Sequence, residues 1–214
     1  DTEELQGILG HLRNFLAGRI RKDRTGLWIE KLHQLNLLRL QNDPSVRKGF
    51  LSGIEFTNIV SVATSVKELD WVESFIREYG PQLPESERPA TLKLSNATVL
   101  FARKKFEAAM EEASGDFNDF LEIMRARTLI LRCYFELKKD PDTIFGYCHN
   151  FEAILLRNRK PKKDAVEAAL EFVRICKSIV SMNVDRQILI KRIHEKPSLV
   201  LGDWLAEQAQ KYRL

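Results

Sequence analysis

Apolar residues recur along this chain at helical spacing and almost nowhere at the alternation of a strand. Between Met124 and Leu137, the residues Ala126, Leu129, Ile130, Cys133, Tyr134 and Leu137 fall at i, i+3, i+4, i+7, i+8 and i+11. That is one continuous face of a helix. Ile144, Tyr147, Cys148, Phe151, Ile154 and Leu155 repeat the pattern, as do Val166, Ala169, Leu170, Val173 and Cys176. Faces of this kind are buried by packing helix on helix, so the expected fold is all-α. Ten glycines and seven prolines in 214 residues are too few for a turn-dense all-β chain.

Breakers divide these faces into about eleven helices. The first two are expected near 3–20 and 26–40. Asn42-Asp43-Pro44 ends the second and opens a third that reaches Val66, with Asp43 as N-cap and Pro44 at N1, where its missing N–H costs nothing. Further helices are expected at 68–79, 90–102, 104–113, 118–138, 141–157, 162–181, 185–195 and 198–212. Pro81 to Pro89 reads as an ordered connection rather than a domain boundary. The expectation is a single helical domain over 1–214, with an N-terminal hairpin (1–42), helix pairs (43–160) and C-terminal helices (161–214).

Charge and cysteine usage narrow the setting. Lys and Arg number 34 against 30 Asp and Glu, a formal net charge of +4, so the charges are mixed and most of the chain is expected to be ordered. The longest charge-free run, Phe56 to Val66, is eleven residues, far short of the roughly 20 that span a bilayer. The N-terminus carries no secretory signal. Opening on Asp1 rather than Met, the chain reads as a trimmed or partial sequence. Cys133, Cys148 and Cys176, odd in number and without a CxxC, read as reduced, buried thiols of a cytoplasmic protein.

A repeat underlies the helices. Ala63, Ala97 and Leu131 are spaced by 34 residues on the first helices of successive pairs, as are Val66, Leu100 and Tyr134. Phe75, Ala109 and Thr143 keep that step on the second helices. The run Asn96-Ala97-Thr98-Val99-Leu100-Phe101-Ala102-Arg103-Lys104-Lys105-Phe106-Glu107-Ala108-Ala109-Met110 resembles the tetratricopeptide (TPR) pattern. It has a small residue, an aromatic shortly after, a basic turn, then an aromatic and Ala. Leu131 to Phe145 is similar. The stretch from Leu83 to Arg159, with the ending Asp203-Trp204-Leu205, is similar to uncharacterised bacterial TPR-like proteins, over residues 50–214. The resemblance implies a right-handed α-solenoid of stacked, degenerate TPR-like helix–turn–helix repeats. It implies no activity.

No motif assembles a reaction centre. Glu30-x-x-His33 has the spacing of a di-iron ligand pair but lacks a second half, and is expected to be a solvated helix pair. Cys148-His149 are neighbours that point about 100° apart on a helix, Cys148 on the apolar face. Gly7-Ile-Leu-Gly10 resembles a phosphate-clamping GXXG but lies in a helical pattern. Trp28, Trp71 and Trp204 read as core anchors. The expectation is therefore no enzyme, no cofactor and no metal site.

Binding surfaces are the remaining candidates. If the repeats stack as in the TPR family, the resemblance places Thr57, Thr64, Lys67, Glu68, Thr91, Thr98, Arg125, Thr128, Arg132 and Glu136 on the concave face. Val60, Leu94, Phe101 and Phe135 join them. Such a groove suits a peptide, helix or protein partner, unless the array's own terminal helices cover part of it. Arg157, Arg159, Lys160, Lys162 and Lys163 form a basic cluster around Pro161, and Arg19, Arg21, Lys22 and Arg24 form another. Both fall near helix ends, where cations complement the dipole, or would meet an acidic or phosphate-bearing partner. The function expected is a non-enzymatic protein–protein interaction or scaffolding module. Nucleic-acid binding through the two basic clusters is the alternative, and self-association is compatible with either. No membrane partner is expected.

Overall fold

A computed structural model of the chain describes residues 2–20, 26–42, 51–158, 163–181, 184–196, 199 and 201–212. Among the described residues there are eleven α-helices and no strand. They are α1 (Thr2–Ile20), α2 (Leu27–Asn42), α3 (Gly53–Ser65), α4 (Leu69–Tyr79), α5 (Arg88–Ala102), α6 (Phe106–Ala113), α7 (Phe120–Glu136), α8 (Pro141–Arg157), α9 (Lys163–Ser181), α10 (Arg186–His194) and α11 (Gly202–Lys211). One 3₁₀ turn, Gly80–Gln82, follows α4. The chain divides into two compact units, Asp1–Asp116 and Phe117–Leu214.

Side-chain caps start several of these helices where the sequence reading puts them. Asp140 accepts the Thr143 N–H at 2.8 Å with Pro141 at the first position of α8. Asp185 likewise accepts from Gln187 (2.9 Å) and Ile188 (3.1 Å) at the start of α10. The third helix differs from expectation. Asp43 and Pro44 lie outside the described residues, but the backbone at Ser52 is extended (φ −73°, ψ 155°) and α3 begins afresh after it. Ser52 is the N-cap, its Oγ accepting the Glu55 N–H at 3.3 Å and donating to the Glu55 Oε2 at 3.3 Å.

In the first unit, α1 packs on α2, α2 on α3, and α3 on both α4 and α5. The core is Phe56, Val60, Ala63, Val72, Phe75 and Leu83, with Phe56 and Phe75 ring centroids 4.7 Å apart. Gly53 is required where α3 meets α5. A Cβ there would lie 2.3 Å from the Thr91 Oγ1. The Gly53 N–H instead reaches the Glu87 Oε2 at 2.6 Å, so a carboxylate from the start of α5 sits on the positive end of α3. In the second unit, α8 packs on α9, and Phe151, Leu155, Val166, Leu170, Val173 and Leu205 are among its buried residues. Burial of each such side chain stabilises by about 1.5–3 kcal/mol.

Three helix pairs share one turn. After α3, α5 and α7 the chain enters the left-handed region at Lys67 (φ 66°), Lys104 (φ 60°) and Lys138 (φ 52°). Each time the lysine N–H bonds back to a carbonyl three residues earlier (Thr64, Phe101, Phe135), and the next N–H bonds to the carbonyl before that (Ala63, Leu100, Tyr134). This is the Schellman arrangement, which favours glycine. The second and third turns are 34 residues apart, but Lys67 precedes Lys104 by 37. Relative to its turn, Val60, not Ala63, therefore stands where Ala97 and Leu131 stand.

Relief of the left-handed lysines gives a direct test. Lys67→Gly, Lys104→Gly and Lys138→Gly are each expected to raise stability by about 1 kcal/mol. The gains should add across the three separated sites, read as a higher urea midpoint of the full chain. A triple variant no more stable than the parent would contradict the turn geometry.

Candidate functional site

Three of the polar residues assigned to a concave surface, Thr57, Thr98 and Thr128, are engaged with the protein's own backbone. In the first unit, Thr57, Val60, Thr91 and Leu94 are buried. Thr98 is half-buried and its Oγ1 donates to the Leu94 carbonyl at 2.8 Å. Thr64 is half-buried as well, with its Oγ1 enclosed and without a hydrogen-bond partner. Lys67 is exposed. Thr57 and Thr98 thus satisfy their hydroxyls on the preceding turn of their own helices.

In the second unit, the C-terminal helix covers the corresponding surface. The Glu136 Oε1 on α7 accepts hydrogen bonds from the Trp204 Nε1–H (2.7 Å) and the Gln208 side-chain N–H (2.8 Å), both on α11. Trp204 stands edge-on to Phe135 at 5.5 Å and lies 6.0 Å from Phe172, while Tyr212 is 5.7 Å from Phe135. The Arg132 guanidinium lies 5.5 Å from the Trp204 ring centroid. Burial lowers its pKa to about 10, with the Glu136 carboxylate among the groups that oppose the shift. Arg125 is half-buried, its pKa lowered by burial and pulled back by Asp119 and Glu122. Thr128 donates to the Met124 carbonyl at 2.8 Å. The α7 face from Arg132 to Glu136 is thus an internal contact.

The basic clusters are only partly visible. Arg157 is exposed in the last turn of α8, where a cation suits the dipole. Lys163 is exposed and opens α9, so it faces the unfavourable end of that helix. Arg159, Lys160 and Lys162 lie outside the described residues, as do Arg21, Lys22 and Arg24. Arg19 is exposed and stacks 4.7 Å from the Trp28 ring centroid.

Reactive groups are withdrawn from solvent. Cys133, Cys148 and Cys176 are buried. Burial pushes the Cys148 thiol up to about 12, and burial beside Cys148 raises Cys176 well above its usual value. A thiolate is the nucleophilic form, so neither is primed for attack. His149 is exposed, away from its buried neighbour. The Glu30–His33 pair is not solvated as expected. Glu30 is exposed, but His33 is only 8% exposed, with its Nδ1 lacking a hydrogen-bond partner and its ring edge-on to Trp71 at 5.2 Å. The stacking partner on α4 takes His33 inward, a contact invisible in the α2 sequence. Among the described residues no group of three or more His, Cys, Asp or Glu could hold a metal ion, and no helix is long and apolar enough to cross a membrane.

An open groove lies elsewhere in the first unit. Ile76, Val99 and Leu100 floor a hollow of about 310 Å³, with Glu73, Asn96 and Glu112 at its rim. Glu73 also accepts from the Arg103 Nε at 3.1 Å. Asn96, Val99 and Leu100 come from α5, a first helix, whereas Glu73 and Ile76 come from α4 and Glu112 from α6, both second helices. A smaller cavity of about 240 Å³ in the second unit involves Asp185 and Arg186. Its polar groups are already used, Asp185 as a helix cap and Arg186 in a 2.8 Å bond from Nη2 to the Tyr212 carbonyl.

No protein-family model matches the chain, and neither curated proteins nor solved structures give a significant match. The TPR resemblance rests on this chain's residues alone.

Two stability measurements follow. Desolvation holds the His33 pKa below its ordinary 6.5, with Glu68 opposing. The unfolded chain therefore takes up the proton first as pH falls. His33 contributes full stability above 6.5 and loses it as pH drops through the window below. Glu55 acts only at lower pH. Burial alone would raise its pKa, but hydrogen bonds and charges from Arg39 and Arg13 outweigh this and leave it below 4.5. His33→Phe should flatten the decline in urea midpoint that sets in below pH 6.5 while leaving the deeper acid transition. Trp204→Phe keeps an aromatic ring but removes one donor to Glu136, and should lower stability by about 1–3 kcal/mol in urea unfolding.

Proposed function

We propose that this chain is a non-enzymatic protein-binding module, a scaffold whose helix pairs are degenerate TPR-like repeats of a right-handed α-solenoid. The recurrence of one Schellman turn after α3, α5 and α7 supports the repeat reading, since equal turns impose a similar reversal on each pair. The groove of α4, α5 and α6 carries the functional reading. Its floor of Ile76, Val99 and Leu100 offers apolar contact, and Glu112 supplies an acidic group at the rim opposite Glu73, which is paired with Arg103. An anchor of this kind suits a peptide that presents an apolar side chain beside Lys or Arg. The buried thiols and the internal position of Arg132 favour recognition over turnover, and they move the binding surface away from α7.

Selection of a random peptide library against the full chain tests this reading. Recovered peptides should pair an aliphatic or aromatic residue with a neighbouring cation. Their affinity should fall at least about tenfold in the double variant Asn96→Arg/Glu112→Lys, the loss of a hot-spot contact. Thermal unfolding should be unchanged, because both positions lie at the rim. Peptides that are acidic, or that bind the double variant equally, would overturn the groove assignment.

A further inference from the structure

One face of α1 is apolar, exposed and arranged with two-fold symmetry. Ile8, Leu12 and Phe15 are 50%, 45% and 57% exposed, and their spacing of i, i+4 and i+7 places them in one stripe. Leu9 and Leu16, on another side of the helix, are the buried contacts that hold α1 in the first unit. Phe15 stands edge-on to Trp28 at 6.3 Å, which widens the stripe at that end. Isolated exposed leucines are ordinary, but a continuous run on one helix marks an interaction surface.

The ends of the stripe carry opposite charges. Glu4 lies one turn before Ile8 on the same line, and Arg19 one turn after Phe15; both are exposed. The order is Glu4, Ile8, Leu12, Phe15, Arg19. Turned end for end, the line matches itself about a point between His11 and Leu12. Glu4 then meets Arg19, Ile8 meets Phe15, and Leu12 lies beside the axis. We infer that α1 pairs antiparallel with α1 of a second copy of this chain through that face. Antiparallel helices also oppose their dipoles favourably. At 1.5 Å of rise per residue, each Ile8 is about 10 Å along the axis from its own symmetry mate but level with the other copy's Phe15. The register is therefore specific. This surface is separate from the groove of α4 to α6, so the inference stands or falls independently of the peptide-binding reading.

Sedimentation of the full chain over a range of concentrations is the test. The parent should show a reversible monomer–dimer equilibrium, and Leu12→Lys should be monomeric with its helical circular dichroism intact. If that variant loses helicity, Ile8→Lys serves the same purpose. Glu4→Arg and Arg19→Glu should each weaken the dimer roughly tenfold by placing like charges together at both ends. The double variant Glu4→Arg/Arg19→Glu should recover most of the affinity, because the pairs are re-formed with their signs exchanged. Since the native cysteines are buried, Leu12→Cys should give the accessible thiol and cross-link between copies on oxidation. A parent that stays monomeric at its highest soluble concentration would overturn the inference. So would a dimer indifferent to Leu12→Lys, or a charge-exchanged variant no tighter than the single ones.

Discussion

Reversal of a helix within two residues is the constraint on which three of the pairs depend. The chain meets it at Lys67, Lys104 and Lys138 by one left-handed residue that closes the carbonyls of the preceding helix. Glycine would do this without steric penalty, and each lysine costs about 1 kcal/mol relative to it. That cost is tolerated because the packing on either side is strong. Val60 and Phe75 are buried across the first pair, and Phe135 and Ile144 flank the third. A lysine at the turn also keeps its charge in water, where a larger apolar residue would be left exposed.

Outside the turns, two carboxylates secure the ends of the helical order. Glu55 on α3 accepts from Arg13 on α1 at 3.0 Å and from Arg39 on α2 at 2.9 Å, both through Oε1. Glu136 on α7 accepts from Trp204 and Gln208 on α11. In each unit a half-buried acid holds helices far from it in sequence. Charge-assisted bonds of this kind are stronger than neutral ones, and partial burial reduces their screening by salt. They also fix which surfaces remain. Glu136 draws α11 over the α7 face, so Arg132 serves packing against Trp204 rather than recognition.

The helices were legible because their signals are local. Asp140-Pro141 and Asp185 announce starts that the structure keeps, and the 3.6-residue apolar period predicts the buried faces of α7, α8 and α9. The break at Ser52 is equally local, a Ser-Gly pair within the stretch 44–66 expected as one helix. What escaped was set by distance along the chain. Glu136 and its partners are 68 and 72 residues apart, and no periodicity links them. His33 reads as a polar member of α2 until Trp71 is brought against it. The groove floor of Ile76 and Leu100 combines residues from separate pairs, each unremarkable within its own helix.

Exposure, rather than composition, finally separates structural from functional residues here. A helix needs one buried face, and α1 satisfies that need with Leu9 and Leu16. Ile8 and Leu12 remain exposed on the same helix, and Phe15, also exposed, stands edge-on to Trp28 of α2. The same reasoning applied to the basic residues gives a different result. Arg13, Arg39, Arg103 and Arg132 are engaged within their own units by carboxylates or an aromatic ring. The first three of these take up as many carboxylates, Glu55, Asp70 and Glu73, so their pairing leaves the net charge of +4 unchanged.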